Sequence, residues 1–412
     1  MKIIGYIKST YPEIRCVIGK GGDGYRYIKI GQVNDFLIRC RRALPKILGR
    51  VFHKPEKTNW DHRAIFKPFG KQSVDLIHTF NAVCDTDTPW VSTFETIIPR
   101  TNITCSPNVH GGKPQEMDKI TKRGFELLSR DSCRAVIALS EANKKIQLLE
   151  MERLNVQNRA QIARKIRVCH PPQSVLISEE VCKHKFDTVN EGIEFIFVGR
   201  LFFRKGGAQV VDALTELRKQ YPDIHLTVVS GLRYGDDVSR STAEDKAKYK
   251  KLMEESSWIT HYEALPNSEV IDLCRKAHVG LLPTFADTYG YSVLEMQACG
   301  CPVITTDIRA LPEINREECG YLIHVPKHPS TEAKYARQED WEILKETVYQ
   351  GLYGRIKDIL ENRDALKEKS MQCIRRITEE HSPETYARFL SGVYGELDSG
   401  AEGFCVQVDS LT

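Results

Sequence analysis

The sequence contains no apolar run that approaches the ~20 residues of a membrane-spanning helix. Its first residues, MKIIGYIKSTYPEIRC, also lack the apolar stretch of a signal peptide, and their pattern is typical of a first β-strand. Internal repeats and low-complexity tracts are absent as well. We therefore expect a cytoplasmic protein that does not span a membrane.

No CxxC pair occurs among the 13 cysteines, which are scattered along the chain. Their odd number and the length of the chain favour reduced thiols over a disulfide framework. We expect single cysteines such as Cys299 and Cys301 to serve as small packing residues.

The length and the charge distribution indicate two domains with different partners. A chain of 412 residues is too long for one ordinary core, and its 41% hydrophobic and 28% charged content is typical of a soluble globular protein. Residues 1–175 hold 30 Lys and Arg against 16 Asp and Glu, a balance of +14. The remainder holds 29 against 39, a balance of −10, so the two halves should face different partners.

Short β-branched and aromatic runs alternate with helical periodicity through the second half of the chain. Candidate strands lie at 194–201, 224–230, 257–263, 279–284 and 302–306, and candidate helices near 205–221, 241–255, 267–277 and 290–299. This alternation predicts βαβ units, with helices on both faces of a parallel sheet. From about residue 339 to residue 397 the pattern is helical, and Ser382 followed by Pro383 fits a helix start.

The first half repeats the alternation more weakly. Candidate strands lie at 2–7, 74–80, 89–94 and 134–140, and candidate helices near 25–42, 115–130 and 141–154. The segment KIRVCHPPQ, residues 165–173, has a proline pair and is predicted to link the domains. We therefore expect an acceptor-binding domain at 1–172, a donor-binding domain at 173–380, and a crossover helix with a loose tail at 381–412.

Two segments follow strands, where ligands bind in open α/β sheets. In FVGRLFFRKGG, Arg200 ends a strand, and Lys205 with Gly206 begins a helix, an arrangement suited to a diphosphate. In PTFADTYGYSVLEMQACG, Asp287 precedes a predicted helix start at 289–290, and Glu295 lies one to two turns inside it. Two carboxylates so placed can accept hydrogen bonds from sugar hydroxyls, although each is also an ordinary residue type for a loop or a helix surface.

The motifs GRL…KGG, DTYGYSVLE and ACGCPVITTD, in this order and spacing, resemble glycosyltransferase family 4. The resemblance is strong across residues 194–325, weaker across 74–173 and faint before residue 70. It implies a GT-B fold, in which two Rossmann-like doubly wound domains face each other across a cleft and the last helix returns to the first domain. It also implies a retaining transfer of a sugar from a nucleotide-diphosphate sugar, UDP or GDP most often, without a metal ion or other cofactor.

The resemblance also assigns residues. Arg200 and Lys205 match the diphosphate-binding pair, and Glu295 matches the acid that binds the donor ribose. Asp287 matches the acid near the transferred sugar, where the family more often has Glu, and His78 matches a histidine near the donor sugar or acceptor. The remaining donor contacts are expected at Gly290, Tyr291, Ser292 and Gly22, the last in a double-glycine loop displaced from its usual place after the first strand.

No enzymic nucleophile is named, because the family is thought to retain configuration without an obvious one. We expect the donor phosphate to take the acceptor proton while Arg200 and Lys205 hold it. The expected acceptor is a glycan, glycolipid or lipid-linked glycan, in the synthesis of cell-surface polysaccharide or glycoconjugate. A GT-B protein that binds a nucleotide sugar without turnover is the second interpretation.

Three further patterns give alternatives. VIGKGGDGYRYIKI, residues 17–30, resembles the GxxG loop of KH domains, although no nucleic-acid partner is expected because a KH module needs a compact unit of its own. The basic amphipathic segment 36–54 suits an anionic membrane surface, or else a core-facing helix with a wet basic face. The Asp85–Asp87 pair mimics a metal-binding DxD but lacks a further ligand at suitable spacing, so we expect no metal there.

Overall fold

A computed structural model describes residues 1–31, 64–70, 73–101, 106–108 and 116–395. Within these residues the chain forms two six-stranded sheets and a small two-stranded sheet. All strand pairs in the two large sheets are parallel, and helices cover both faces. The predicted pair of doubly wound α/β domains is confirmed.

The first domain contains the first large sheet, with the strand order β2-β1-β4-β6-β7-β8. Its elements are β1 (Lys2–Tyr6), α1 (Tyr11–Cys16), β2 (Tyr25–Lys29), β3 (Ile65–Phe66), β4 (Leu76–Phe80), β5 (Val83–Cys84), β6 (Trp90–Phe94), α2 (Lys119–Ser129), β7 (Cys133–Ala138), α3 (Glu141–Arg153), α4 (Arg159–Lys165) and β8 (Ile166–Val168). The central strand β6 is buried at every position, as expected for a parallel strand covered on both faces.

The second domain contains the other large sheet, with the order β11-β10-β9-β12-β13-β14. Its elements are α5 (Glu179–His184), β9 (Ile193–Val198), α6 (Gly207–Leu217), β10 (Ile224–Val229), α7 (Ala243–Glu255), β11 (Ile259–Tyr262), α8 (Asn267–Lys276), β12 (Val279–Leu282), α9 (Tyr291–Ala298), β13 (Val303–Thr306), α10 (Leu311–Ile314), β14 (Gly320–Ile323), α11 (Gln338–Glu361) and α12 (Ala365–Glu380). The strand order reverses between β9 and β12, so the crevice above these two strands is where a ligand is expected.

The last described helix, α13 (Pro383–Gly395), returns to the first domain. The Tyr386 hydroxyl donates to the Cys16 carbonyl at 2.7 Å, and the Tyr394 hydroxyl lies 2.6 Å from Nδ1 of His78. The Ser382 hydroxyl accepts a hydrogen bond from the Thr385 backbone at 3.1 Å, which confirms the predicted helix start. The expected crossover helix is therefore present.

Two predicted elements are wrong. The helix expected near 25–42 is wrong over Tyr25–Lys29, which pair with β1 as strand β2, and its part from residue 32 onward lies outside the described residues. Tyr25 and Tyr27 lie on the same side of this edge strand, and Tyr25 packs edge-on against Tyr394. The predicted linker at 165–173 contains strand β8, which pairs with β7, so the connection between the domains follows Val168. Segment 36–54 lies outside the described residues.

No helix within the described ranges has both the length and the apolar character needed to cross a membrane. The ten described cysteines are all free, and nine of them are buried. Burial raises the pKa of the Cys16 thiol to about 12 and that of Cys301 to about 11, so both stay protonated, as suits packing residues.

Candidate active site

A cleft of about 1150 Å³ lies between the two domains. On the side of the second domain it is lined by the residues that follow β9, β10, β11 and β12, and on the opposite side by Tyr11, Pro12 and Glu95. Another groove, of about 960 Å³, runs along β14 and α11 at the far edge of the second sheet, and none of the predicted site residues lines it. The interdomain cleft is therefore the candidate active site.

Arg200 and Lys205 both line the cleft, on either side of the turn between β9 and α6. Arg200 is exposed, and within the described part of the chain its guanidinium has no hydrogen bond or ion pair. The Lys205 ammonium lies 2.6 Å from Oδ2 of Asp287 and 3.3 Å from the Ala286 carbonyl. Two cations therefore lie at the strand-order reversal: Lys205 is paired with Asp287, and Arg200 has no partner among the described residues.

Gly206 allows the Lys205 turn to sit directly on the end of β12. Its φ of +81° is one that side-chain-bearing residues rarely adopt, and a Cβ there would lie 2.3 Å from the Pro283 carbonyl oxygen. This close approach brings Lys205 to Asp287. The N–H groups of Gly206 and Gly207 donate to the carbonyls of Phe203 and Phe202, so these two groups are not free to bind an anion.

Asp287 is fixed by three contacts. One carboxylate oxygen accepts hydrogen bonds from the backbone of Thr288 at 2.7 Å and Tyr289 at 3.4 Å, and the other faces Lys205. Gly290 is the N-cap of α9 and has a φ of +98°, a left-handed conformation that glycine adopts more readily than other residues. Tyr291 and Ser292 lie in the first turn of α9 and line the cleft. The N–H groups of a first helical turn have no acceptor within the helix, so those of Tyr291 and Ser292 can bind a ligand.

Glu295 does not line the cleft, although it lies in α9 as predicted. Its carboxylate accepts hydrogen bonds from the Tyr11 hydroxyl at 3.0 Å and from the Arg15 guanidinium at 3.2 Å. The same guanidinium lies 4.8 Å from the centre of the Tyr291 ring. In this conformation Glu295 links the two domains, so a role toward a donor ribose requires that Tyr11 or Arg15 move.

His78 and Gly22 are not in the cleft, and their assignment to the site is corrected. His78 lies inside β4 rather than after it, is fully buried, and is held between the hydroxyls of Tyr394 and Thr93. Gly22 lies beside α13, where a Cβ would approach Ala387 at 4.0 Å. The segment after β1 that reaches the cleft is instead the start of α1, at Tyr11 and Pro12.

Burial of His78 gives the fold a predicted sensitivity to acid. Burial lowers the pKa of His78 and of His381 to about 3, and that of His170 and His278 to about 4. In the unfolded chain these groups titrate near pH 6.5. Below that pH the unfolded state therefore binds protons that the folded state does not bind. Their contribution is complete above pH 6.5 and is lost as pH falls from there toward 3–4.

We expect the free energy of unfolding to fall by about 1 kcal/mol per pH unit below 6.5 for each of these histidines. Urea unfolding at pH 7.5 and pH 5.5 measures the effect. His78→Gln should make the fall between these pH values smaller by about 1 kcal/mol, whereas Tyr394→Phe should lower stability about equally at both. An unchanged pH dependence in the His78→Gln protein contradicts the assignment.

Several cleft residues escaped the sequence analysis. Glu95 directly follows β6, and its position after a strand was a usable signal. Arg233, Tyr234 and Lys246 line the cleft beyond β10, and the Lys246 ammonium lies 5.9 Å from the centre of the Tyr234 ring. Tyr11 had no signal, because it reaches the cleft only through the packing of α1 against the second domain.

The structure describes the surroundings of the DxD-like pair and of the GxxG-like loop. Asp85 forms an ion pair with Arg123 at 2.9 Å, and no group of three potential metal-binding side chains occurs in the part of the chain that the structure describes. Residues 17–30 join α1 to β2 within the first sheet, so they do not form the separate unit that a KH domain requires.

Sequence comparisons match part of this chain to known proteins. Residues 180–348 match the family model described as Glycosyl transferases group 1. D-inositol 3-phosphate glycosyltransferase of Paenarthrobacter aurescens is 29% identical over 168 residues, 40% of this chain and 37% of that protein. Glycogen synthase of Mycobacterium tuberculosis is 28% identical over 120 residues, 29% of this chain and 27% of that protein. The matched segments thus span well under half of these relatives.

In structure the likeness extends over nearly the whole chain. HepE of Anabaena, in complex with UDP and glucose, has a TM-score of 0.57 at 12% identity, and the match covers 96% of this chain and 100% of that one. Sucrose-phosphate synthase of Thermosynechococcus elongatus has a TM-score of 0.58 at 15% identity, with 97% and 100% covered. The chain therefore has the GT-B fold, and its second domain, which carries Arg200, Lys205 and Asp287, contains a glycosyl transferases group 1 domain.

Proposed function

We propose that this protein is a glycosyltransferase that moves a sugar from a nucleotide-diphosphate sugar to an acceptor hydroxyl. The observation that carries the proposal is the Arg200 guanidinium, which pairs with no described residue and lies beside the Lys205–Asp287 pair in the cleft at the strand-order reversal. The matched family and the nucleotide named for the structural neighbour HepE support this assignment. A metal ion is not required, because side chains supply the positive charge.

The diphosphate is the group whose charge grows as the sugar leaves. Arg200 offers a planar fork that fits two phosphate oxygens, and Lys205 offers a point charge. The first turn of α9, at Tyr291 and Ser292, adds N–H donors at the positive end of a helix. These groups are in position before the reaction begins, so they can stabilise the negative charge as it develops on the diphosphate. Such prearranged electrostatic stabilisation is usually the largest contribution to the rate at sites of this kind.

The transfer itself exchanges one bond to the anomeric carbon for another. We propose that the bond to the β-phosphate oxygen breaks while the acceptor oxygen bonds the anomeric carbon on the same face, as in a retaining member of family 4. The acceptor proton passes to the departing phosphate oxygen, held by Arg200 and Lys205. Asp287, one of whose oxygens is already engaged by backbone N–H groups, then orients Lys205 and faces the sugar.

The acceptor proposed from the sequence is a glycan, a glycolipid or a lipid-linked glycan of the cell surface. Segment 36–54, which is basic and amphipathic, suits contact with an anionic membrane, and the enzyme would then act peripherally at the inner face of that membrane. Sedimentation with vesicles that contain or lack anionic lipid tests this contact. Equal sedimentation in both cases at low salt argues against it.

A thermal-shift screen with UDP, GDP, ADP and their sugars tests the proposed donor class. We expect UDP or GDP at 100 times its dissociation constant to stabilise the protein by about 2.7 kcal/mol. Arg200→Ala should abolish most of this shift, because it removes a cleft cation that no described residue pairs, whereas Arg164→Ala, at an exposed arginine of α4, should not. A screen in which no nucleotide raises the melting temperature would contradict the proposal.

The second candidate is a protein that binds the nucleotide sugar without turning it over. The 2.6 Å contact that commits Lys205 to Asp287 favours this candidate, because a donor must compete for that ammonium. Hydrolysis of a bound donor in the absence of acceptor separates the two. An enzyme releases nucleoside diphosphate slowly under these conditions, and a binding protein returns the donor intact.

A further inference from the structure

We propose that Glu95 binds a hydroxyl group of the sugar in the cleft and makes the enzyme select neutral sugars over sugar acids. The inference rests on the proposed function and concerns the wall of the cleft that belongs to the first domain. Neither the sequence motifs nor the matched family domain, which lies within residues 180–348, includes this residue.

Glu95 reaches the cleft because of where two neighbouring strands end. Strands β4 and β6 pair in parallel, and Asn81 and Glu95 are the first residues after them. Both side chains therefore leave the sheet at its carboxyl edge, which is the edge that faces the second domain. Glu95 lines the cleft with 15% of its side chain exposed, so it is largely desolvated yet open on one side.

Asn81 holds Glu95 in place through both ends of its amide. Its side-chain oxygen accepts a hydrogen bond from the Glu95 backbone at 3.1 Å, and its nitrogen donates to Oε1 of the carboxylate at 3.2 Å. Asn81 has a φ of +58°, a conformation that asparagine tolerates better than most residues. Arg100 donates to the same oxygen, Oε1, at 3.1 Å.

These contacts engage only one of the two carboxylate oxygens of Glu95. Among the described residues every hydrogen bond and ion pair of the side chain ends on Oε1, so Oε2 remains available to a ligand. A carboxylate oxygen held in this way accepts hydrogen bonds only, and bonds to charged groups are stronger than neutral ones. Its partner must be a donor such as a hydroxyl.

The residues on the opposite wall of the cleft determine which part of the ligand reaches Glu95. Arg200 and Lys205 hold the diphosphate on the second domain, so the sugar attached to it extends toward the first domain. A neutral sugar presents hydroxyl donors to Oε2. A uronic acid presents a second carboxylate, which Glu95 repels at short range in a partly desolvated cleft. Glu95 thus favours neutral sugars over sugar acids.

The experiment compares UDP, UDP-glucose and UDP-glucuronate on the wild-type protein and on Glu95→Gln, by titration calorimetry and donor turnover. We expect Glu95→Gln to bind UDP within about twofold of wild type and to lose about 10- to 100-fold in kcat/KM for UDP-glucose. The preference for UDP-glucose over UDP-glucuronate should shrink by about tenfold or more, because the repulsion between the two carboxylates is gone.

Two further variants separate binding from folding. Asn81→Gly keeps the unusual backbone conformation but removes both amide contacts, and it should lower turnover of UDP-glucose about 3- to 10-fold with UDP binding unchanged. Glu126→Gln changes an exposed glutamate of α2 and should leave every value unchanged. A role of Asn81 in folding alone would instead lower UDP affinity and melting temperature together.

The outcomes are distinguishable. Wild-type turnover and wild-type selectivity in Glu95→Gln overturn the inference and leave the proposed function intact. A wild-type protein that binds neither UDP nor UDP-glucose, nor GDP nor GDP-mannose in the same assay, overturns the proposed function and the inference with it.

Discussion

Replacing Lys205 with alanine should lower kcat for sugar transfer by about 10²–10³-fold, with a smaller change in the affinity for donor. In the proposed site the ammonium is one of two cations that face the diphosphate, and its share of the stabilisation grows as the phosphate charge develops. Steady-state kinetics with the donor identified by the nucleotide screen, together with calorimetric affinities, measure the two effects separately. Lys119→Ala, at the exposed start of α2, is the matched control.

The contact between Lys205 and Asp287 calls for a second comparison. Alanine at position 205 also leaves the Asp287 carboxylate without its cation, and that charge would repel the diphosphate. The double variant Lys205→Ala with Asp287→Asn removes this repulsion, and its kcat should stay at least about 10²-fold below wild type if Lys205 acts on the phosphate. Recovery to near wild-type turnover would mean that Lys205 serves only to neutralise Asp287.

Gly206→Ala should destabilise the second domain by about 3 kcal/mol or more. A left-handed backbone costs an alanine about 1–2 kcal/mol, and its Cβ would lie 2.3 Å from the Pro283 carbonyl oxygen, so the turn or β12 must shift at further cost. Urea unfolding measures the loss. Because the shift moves Lys205 away from Asp287, transfer activity should fall as well.

Gly235→Ala is the matched control for this prediction. Gly235 has nearly the same φ, +82°, but nothing lies within 4 Å of the position of its Cβ. Its cost should therefore be the backbone term alone, about 1–2 kcal/mol. Equal losses in the two variants would show that the approach of Gly206 to β12 carries no extra cost.

The second domain was predictable because its central strands are buried on both faces. β12 and β13 are buried at every position, and β9 is apolar except at Glu194, so these strands stand out from the amphipathic helices between them. The edge strands were harder: β2 is half-exposed along its length and β8 has only three residues. Neither carries enough apolar pattern to separate a strand from a helix or a linker.

The same contrast holds for the site. Arg200, Lys205 and Asp287 stand in the turns after buried strands, so local sequence located them. His78 was misplaced because β4 continues to Phe80, and a shift of the strand end by two residues moves a side chain from the cleft into the core. The partners of Glu295 depend on packing between distant segments. Arg15 lies 280 positions from Glu295, and no local pattern reports such a contact.

The return of α13 has a consequence for the order of biosynthesis. Tyr386, Leu390 and Tyr394 complete the core of the first domain, and Tyr394 closes over His78. On the ribosome, residues 1–168 emerge long before α13, and at about 5–20 residues per second the delay is roughly 10–45 s. During that interval the nascent first domain exposes the groove that α13 later fills, so its last folding step must wait until the second domain has been translated.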